Sequence, residues 1–251
     1  MSAPFTTSIR NVAQTALTFL YPDVCQHCHN AFATRDDGYV CNDCWSNVRF
    51  IVPPMCDRCG LPFEGEISDV FECANCREME LQFSRARSAV AAKGMVLDII
   101  HRWKYSRALW FEPFLAKLLI REAAPALKEE SWDCIVSVPL HPQKKAEREF
   151  NQAEHLALDL ERATGIPARS DLLRRVTPTR TQTSLSRSQR AENMSRAFAA
   201  GSNAPFVRGK RAVLIDDVLT TGATTSACAH VLKACGASEV CVWTVARGLL
   251  N

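Results

Sequence analysis

Eight of the chain's 12 cysteines fall in four C-x-x-C pairs: Cys25/Cys28, Cys41/Cys44, Cys56/Cys59 and Cys73/Cys76. Thiolates two residues apart on a tight turn reach one tetrahedral ion, and a second such turn closes a four-cysteine structural site. Twelve residues separate the first two pairs and 13 the last two. Consecutive pairing gives two zinc ribbons, whereas joining alternate pairs gives a cross-braced fold. The near-equal spacing, with Pro53-Pro54 between the halves, favours the consecutive form. In either arrangement eight thiols imply two structural zinc ions, because so short a segment has little apolar core and folds on metal.

Other uses of cysteine fit less well. A disulfide framework needs an oxidising compartment, and residues 1–24 hold no long apolar leader, so the expected location is cytoplasmic. A redox C-x-x-C occurs once beside a βαβ pattern, whereas this one repeats four times. An iron–sulfur cluster uses the same four thiolates and is the remaining rival to zinc. Cys134, Cys228, Cys235 and Cys241 stand outside the pairs and read as small buried residues.

Chemistry concentrates in residues 213–225. Val213, Leu214 and Ile215 form a continuous apolar run, as in a strand buried on both faces of a parallel sheet. Asp216 and Asp217 follow at its C-terminal edge, where open α/β sheets place ligands. Then comes a glycine turn rich in hydroxyls, Thr220, Thr221, Gly222, Ala223, Thr224 and Thr225, before a helix that closes at Gly236. Residues 239–246 form the next strand of this βαβ unit. A helix start offers unpaired N–H groups and partial positive charge, which suit a phosphate monoester. Gly222 lets the backbone approach the anion, and the acid pair can accept hydrogen bonds from a diol or hold Mg²⁺ through water. No Walker A or G-x-G-x-x-G pattern is present.

This stretch resembles the phosphoribosyl-pyrophosphate motif of type I phosphoribosyltransferases. The resemblance implies that Asp216 and Asp217 contact ribose hydroxyls and that residues 220–225 wrap the 5′-phosphate. A double zinc ribbon before such a domain resembles the ComF family of bacterial competence proteins, which also contains those named GntX. Ser137-Val138-Pro139-Leu140-His141-Pro142 and Arg148-Glu149-Phe150-Asn151-Gln152 are similar to further family segments, with Glu149 where the family has glycine. Arg180, Thr183, Leu185, Arg190, Asn193 and Phe198 echo another.

The expected fold class is therefore α/β: a parallel-sheet type I phosphoribosyltransferase-like domain over residues 81–251, preceded by the four-cysteine double zinc-ribbon module over 23–80. An amphipathic helix is expected within residues 1–22, since Ile9, Val12, Ala13, Ala16, Leu17 and Leu20 recur at helical spacing. Residues 95–104 and 109–122 read as helices, with Trp103, Tyr105 and Trp110 as core more than as stacking surfaces. Residues 132–138 read as a strand, 139–150 as a loop and 151–164 as a helix closing at Gly165. If both strands run parallel that loop lies beside the acid pair, and the phosphoribosyltransferase resemblance then implies pyrophosphate contacts from Ser137 and Arg148. Residues 174–198 read as a mobile loop; the resemblance implies that it closes over the reaction with Arg180, Arg187 and Arg190 neutralising a leaving pyrophosphate, and the alternative is an ordinary exposed basic loop. With Asp216, Asp217 and Arg148 they are the catalytic candidates.

Charge is divided unevenly. Residues 1–80 carry 5 basic and 11 acidic side chains, net −6, and residues 141–211 carry 14 and 7, net +7. Two Zn²⁺ on eight thiolates take the first segment to −10, so nucleic acid is expected to meet residues 141–211. No run of 18 apolar residues exists, so no membrane span is expected. The family resemblance implies a factor for natural competence that handles single-stranded DNA with a helicase partner and keeps a site for ribose 5-phosphate or phosphoribosyl pyrophosphate. The alternatives are an active nucleotide-salvage transferase using phosphoribosyl pyrophosphate and Mg²⁺, and an interaction scaffold without ligand.

Overall fold

The computed structural model describes residues 23–65, 71–148, 150–177 and 197–249, with the backbone alone at 145, 146 and 148. The helix expected within residues 1–22 and Glu149 lie outside the described residues. The centre is a four-stranded, all-parallel sheet in the order β1-β6-β5-β2, built from β1 (Ala86–Ala91), β2 (Cys134–Ser137), β5 (Arg211–Leu219) and β6 (Glu239–Arg247). Its strands are buried on both faces because each residue parity finds its own apolar layer. Ile135, Val213, Ile215, Cys241, Trp243 and Val245 face one core. Cys134, Val136, Ala212, Leu214, Val240 and Val242 face the other.

Short helices α1 (Asn42–Ser46) and α2 (Ala74–Glu78) belong to the cysteine module, and α3 (Met95–Tyr105) follows β1. On the first face α4 (Glu112–Glu129) packs against α6 (Gln152–Thr164). Helix α4 runs past the expected end because Pro125 does not interrupt it. Asn151 caps α6 by accepting a bond from Ala153 N (3.2 Å), and Gly165 closes it at φ 79°. On the second face lie α7 (Ala223–Ala234) and the antiparallel hairpin of β3 (Leu173–Arg175) and β4 (Phe198–Ala200).

Two loop expectations are corrected. Residues 139–150 contain a helix, α5 (Pro142–Arg148), seeded by Pro142 at its first position. The 174–198 stretch begins and ends in β3 and β4, because Leu173 and Phe198 supply buried anchors. Trp103 is a fully buried core residue, while Tyr105 is 70% exposed. No described helix is long and apolar enough to cross a membrane.

The cysteine pairs join consecutively. Each half pairs a hairpin turn, closed by the Val24/Phe32 or Met55/Pro62 bridge, with a helical turn whose N-cap is itself a cysteine, Cys41 or Cys73. The stretch between the halves runs antiparallel along the outer edge of β1, with Ile51 N donating to Ala89 O (3.0 Å) and Ala91 N to Arg49 O (2.9 Å). This covers an otherwise open sheet edge. The halves then separate: Cys25, Cys41 and Cys44 merge with the α4–α6 core, and Cys56, Cys59, Cys73 and Cys76 with the α7 core.

Candidate functional site

The site forms where neighbouring strands differ in length. Strand β2 ends opposite Ile215, and Val138 N makes the last link to Ile215 O (2.9 Å). Strand β5 continues for four residues beside β6 alone, with Asp216 opposite Thr244 and Leu219 opposite Arg247. Asp216 and Asp217 therefore lie inside β5, yet past the end of β2 and open to that side. The resulting crevice of about 160 Å³ is lined by Lys104, Val138, Leu140, Lys144, Asn151, Gln152, Ala153, Arg175, Asp216, Asp217 and Thr224.

Charge inside the crevice is tightly matched. Lys104 Nζ lies 2.7 Å from Asp217 Oδ1, and both side chains are largely buried. Asp216 Oδ1 accepts a bond from Asp217 N (2.9 Å). Burial first, and then the Asp217 carboxylate, push Asp216 up to about 7, while Lys104 pulls it back. Two acids side by side cannot both be ionised cheaply in so dry a place. A lysine from another element makes the pair tenable, and near pH 7 it leaves one group poised to take or release a proton.

The 220–225 turn follows directly. Gly222 adopts φ 88° as the N-cap of α7, a conformation that L side chains rarely take. A Cβ there would also come within 3.3 Å of Leu81. Ala223 N donates to Thr221 Oγ1 (3.4 Å), and Thr225 Oγ1, buried, donates to Gly222 O (3.1 Å). The hydroxyl of Thr225 is thus used within the turn. Thr220 is exposed, and Thr224 reaches the crevice. The N–H groups of Thr220, Thr221, Gly222, Thr224 and Thr225 have no hydrogen-bond partner among the described residues.

Ser137 is buried within β2 and is not part of the crevice lining, whereas Val138 and Leu140 just after it are. Arg180, Arg187 and Arg190, like the side chain of Arg148, lie outside the described residues. Four lining residues escaped the sequence reading as crevice groups. Lys104 closes a stretch that the sequence marks only as a helix, and Asn151 stands there as the first residue of another. Gln152 falls inside that same 151–164 stretch, and Arg175 within the 174–198 stretch that reads as a loop. Arg247, buried at the end of β6, was also missed, although a charge closing an apolar strand was a legible signal.

Both cysteine quartets fit one tetrahedral ion each. In each quartet the four Sγ atoms lie within 4.8 Å of one another. Individual separations are 3.8 Å for Cys25–Cys44, 3.7 Å for Cys28–Cys41 and Cys56–Cys76, and 3.6 Å for Cys59–Cys73 and Cys73–Cys76. A tetrahedron with metal–sulfur bonds of about 2.3 Å has edges of about 3.8 Å. A multi-iron cluster would spread its cysteines over different irons and set them further apart. With no open position, each site serves structure.

Residues 16–77 match the double zinc ribbon domain family, and residues 153–249 match the phosphoribosyl transferase domain family. The chain is 28% identical to Competence protein F of Haemophilus influenzae over 89% of this chain and 96% of that protein. It is 33% identical to DNA utilization protein YhgH of Salmonella typhi over 91% and 98%. Competence protein ComFC of Streptococcus pneumoniae is 28% identical over 85% and 90%.

Proposed function

We propose, because the chain belongs to the ComF family of proteins that join a double zinc ribbon to a phosphoribosyltransferase domain, that its crevice binds ribose 5-phosphate or phosphoribosyl pyrophosphate. One observation carries this reading: the acid pair, Lys104 and a turn of unpartnered N–H groups meet at the end of β5. In it, Thr220, Thr221, Gly222, Ala223, Thr224 and Thr225 wrap the 5′-phosphate at the start of α7, and the phosphate takes the main-chain N–H groups of all but Ala223. Asp216 and Asp217 take the ribose hydroxyls and, through water, Mg²⁺, whose charge would offset the pyrophosphate. Lys104, Lys144 and Arg175 face the same anion, with Arg148, Arg180, Arg187 and Arg190 as further candidates and Ser137 as part of the strand that sets the rim.

The cellular role we infer is DNA handling during uptake, in keeping with the names of the relatives. The basic 141–211 segment suits single-stranded DNA, delivered by a helicase partner. Calorimetric titration of the zinc-loaded full chain with phosphoribosyl pyrophosphate, with and without Mg²⁺, tests the ligand. Heat with wild type and none with Asp216→Ala/Asp217→Ala is expected; no heat with wild type overturns the reading.

A second reading, an active transferase of the phosphoribosyl class, is favoured by Asp216, whose raised pKa supplies a proton-handling group beside the crevice. A base nitrogen would then form a bond to ribose C1 as the C1–O bond to pyrophosphate breaks, with Lys104, Lys144 and Arg175 receiving the departing charge. Pyrophosphate release against a panel of nucleobases separates this from binding alone. An interaction scaffold, by contrast, would keep its cellular function when both aspartates are replaced.

A further inference from the structure

Behind the 220–225 turn lies the second cysteine quartet, joined to it by one side chain. Arg247 is fully buried, at 0% exposure. Its Nε donates to Cys59 O (3.2 Å) and its Nη2 to Cys59 Sγ (3.3 Å). Its Nη1 donates to the carbonyls of Leu219 (2.9 Å), Gly248 (2.8 Å) and Thr220. From α2, between Cys73 and Cys76, Asn75 Nδ2 donates to Thr221 O (3.1 Å).

Three successive carbonyls are thus held on the ribbon side of the turn, those of Leu219 and Thr220 by Arg247, with Gly248 N also donating to Leu219 O, and that of Thr221 by Asn75 of the ribbon. In a planar trans peptide the C=O and the following N–H point in opposite directions. The N–H groups of Thr220, Thr221 and Gly222 are therefore turned away from the ribbon, and these are among the groups left without partners. The electrostatics agree. Four thiolates around one Zn²⁺ carry −2, a counter-charge that lets a guanidinium stay buried, and the planar fork can serve sulfur and carbonyls together.

We propose that Arg247 is a positioning residue through which the second cysteine site, and not the first, holds the 220–225 turn in its anion-receiving form. This rests on the reading that the turn receives a ribose phosphate. It goes beyond that reading in assigning one of two similar metal sites to the support of the ligand site. Among the described residues the first quartet's module touches α3 and α4 instead, through Arg102 Nη1 to Gln26 O (2.7 Å) and Trp45 edge-on to Phe114 at 5.2 Å.

The test uses the zinc-loaded full chain as wild type, Arg247→Met, Asn75→Ala, Cys76→Ser and Cys44→Ser. Amide hydrogen exchange is read at Ser226 and Gly248, whose N–H groups donate to Gly222 O and Leu219 O, and at Leu118 and Leu119 of α4 as internal controls. Affinity for ribose 5-phosphate is measured on the same proteins. Arg247→Met and Cys76→Ser are expected to speed exchange at Ser226 and Gly248 by about tenfold or more and to weaken binding by about tenfold, with α4 unchanged. Cys44→Ser is expected to leave Ser226, Gly248 and the affinity as in wild type. Asn75→Ala keeps the guanidinium and is expected to shift both readouts less, in the same direction, which preserves the test if Arg247→Met does not fold.

Unchanged exchange at Ser226 and Gly248 in Arg247→Met and Cys76→Ser, or equal acceleration in Cys44→Ser, overturns the inference. If wild type binds no ribose phosphate while the exchange pattern holds, the ligand reading fails and the coupling stands. If wild type binds and the pattern is absent, only the coupling fails.

Discussion

The two ribbons are built alike and used differently. Each has a bridged hairpin, a cysteine-capped helical turn and a residue of positive φ just after its first pair, His29 at 58° and Gly60 at 64°. The first docks chiefly by packing, with Trp45 on Phe114 and Arg121 over Phe50 at 3.9 Å, and adds the Arg102 Nη1 bond to Gln26 O (2.7 Å). The second docks by hydrogen bonds to the candidate site, through Arg247, Asn75 and the Gln82 N bond to Ser226 Oγ (3.0 Å). Repeating one metal-stapled unit has thus served two ends, stability on one face of the sheet and loop geometry on the other. Packing tolerates small displacements at a modest loss, whereas a fork of directed bonds fixes orientation.

The strongest way to break this contrast is to undock the first ribbon while sparing the second. A Cβ on Gly38, which has φ 63°, would lie 2.5 Å from Phe114 N and 2.7 Å from Phe114 Cβ. Gly38→Ala is expected to cost about 3 kcal/mol and to lower Tm by about 6–12 °C. Affinity for ribose 5-phosphate, measured below the new Tm, is expected to stay as in wild type. If affinity falls along with stability, the division of labour between the ribbons is wrong.

Next in size is the charge balance of the crevice. Lys104 pairs with Asp217 and lowers the proton affinity of Asp216. In Lys104→Met, ribose 5-phosphate binding in Mg²⁺ at pH 7 is expected to weaken about tenfold, and the midpoint of its rise with pH to move upward. Asp216 itself makes a smaller, signed prediction. Its folded value of about 7 lies above its ordinary 3.8, so the fold favours the neutral acid, and its contribution to stability is lost as pH rises from about 4 to about 7. Asp216→Asn is therefore expected to raise Tm by several degrees more at pH 8 than at pH 5, and to change it least near pH 3. Equal effects at both pH values would show that Asp216 ionises as freely as an exposed acid.

What was legible in the sequence follows the range of the signal. The cysteine pairing, the β5–α7 turn and the close of α6 at Gly165 are written in contiguous residues, so local pattern exposed them. The crevice is a meeting of distant segments: Lys104 from α3, Lys144 from α5 and Arg175 from β3 reach it because β2 stops at Ser137 while β5 goes on. Strand lengths relative to neighbours leave no local trace. The helix in residues 139–150 was hidden for another reason, since Pro139 and Pro142 look like loop residues although proline is favourable at a helix start. That each ribbon would choose a different face of the sheet was likewise beyond periodicity, since their cysteine spacings are nearly the same.

The smallest prediction returns to that near-identity. His29 takes a left-handed conformation with its side chain in solvent, where a non-glycine residue stores strain. His29→Gly relieves that strain but adds freedom to the unfolded chain, for a net gain of roughly 0.5 kcal/mol. At the matching position of the second ribbon, a Cβ on Gly60 would meet Ala86 O at 2.9 Å, so that glycine is held by contact with β1 as well as by its φ. Chemical denaturation of His29→Gly is expected to show the small gain with an unchanged m-value. A clear loss would mean that His29 is itself a docking residue, and the first ribbon would then depend on directed contacts as heavily as the second does.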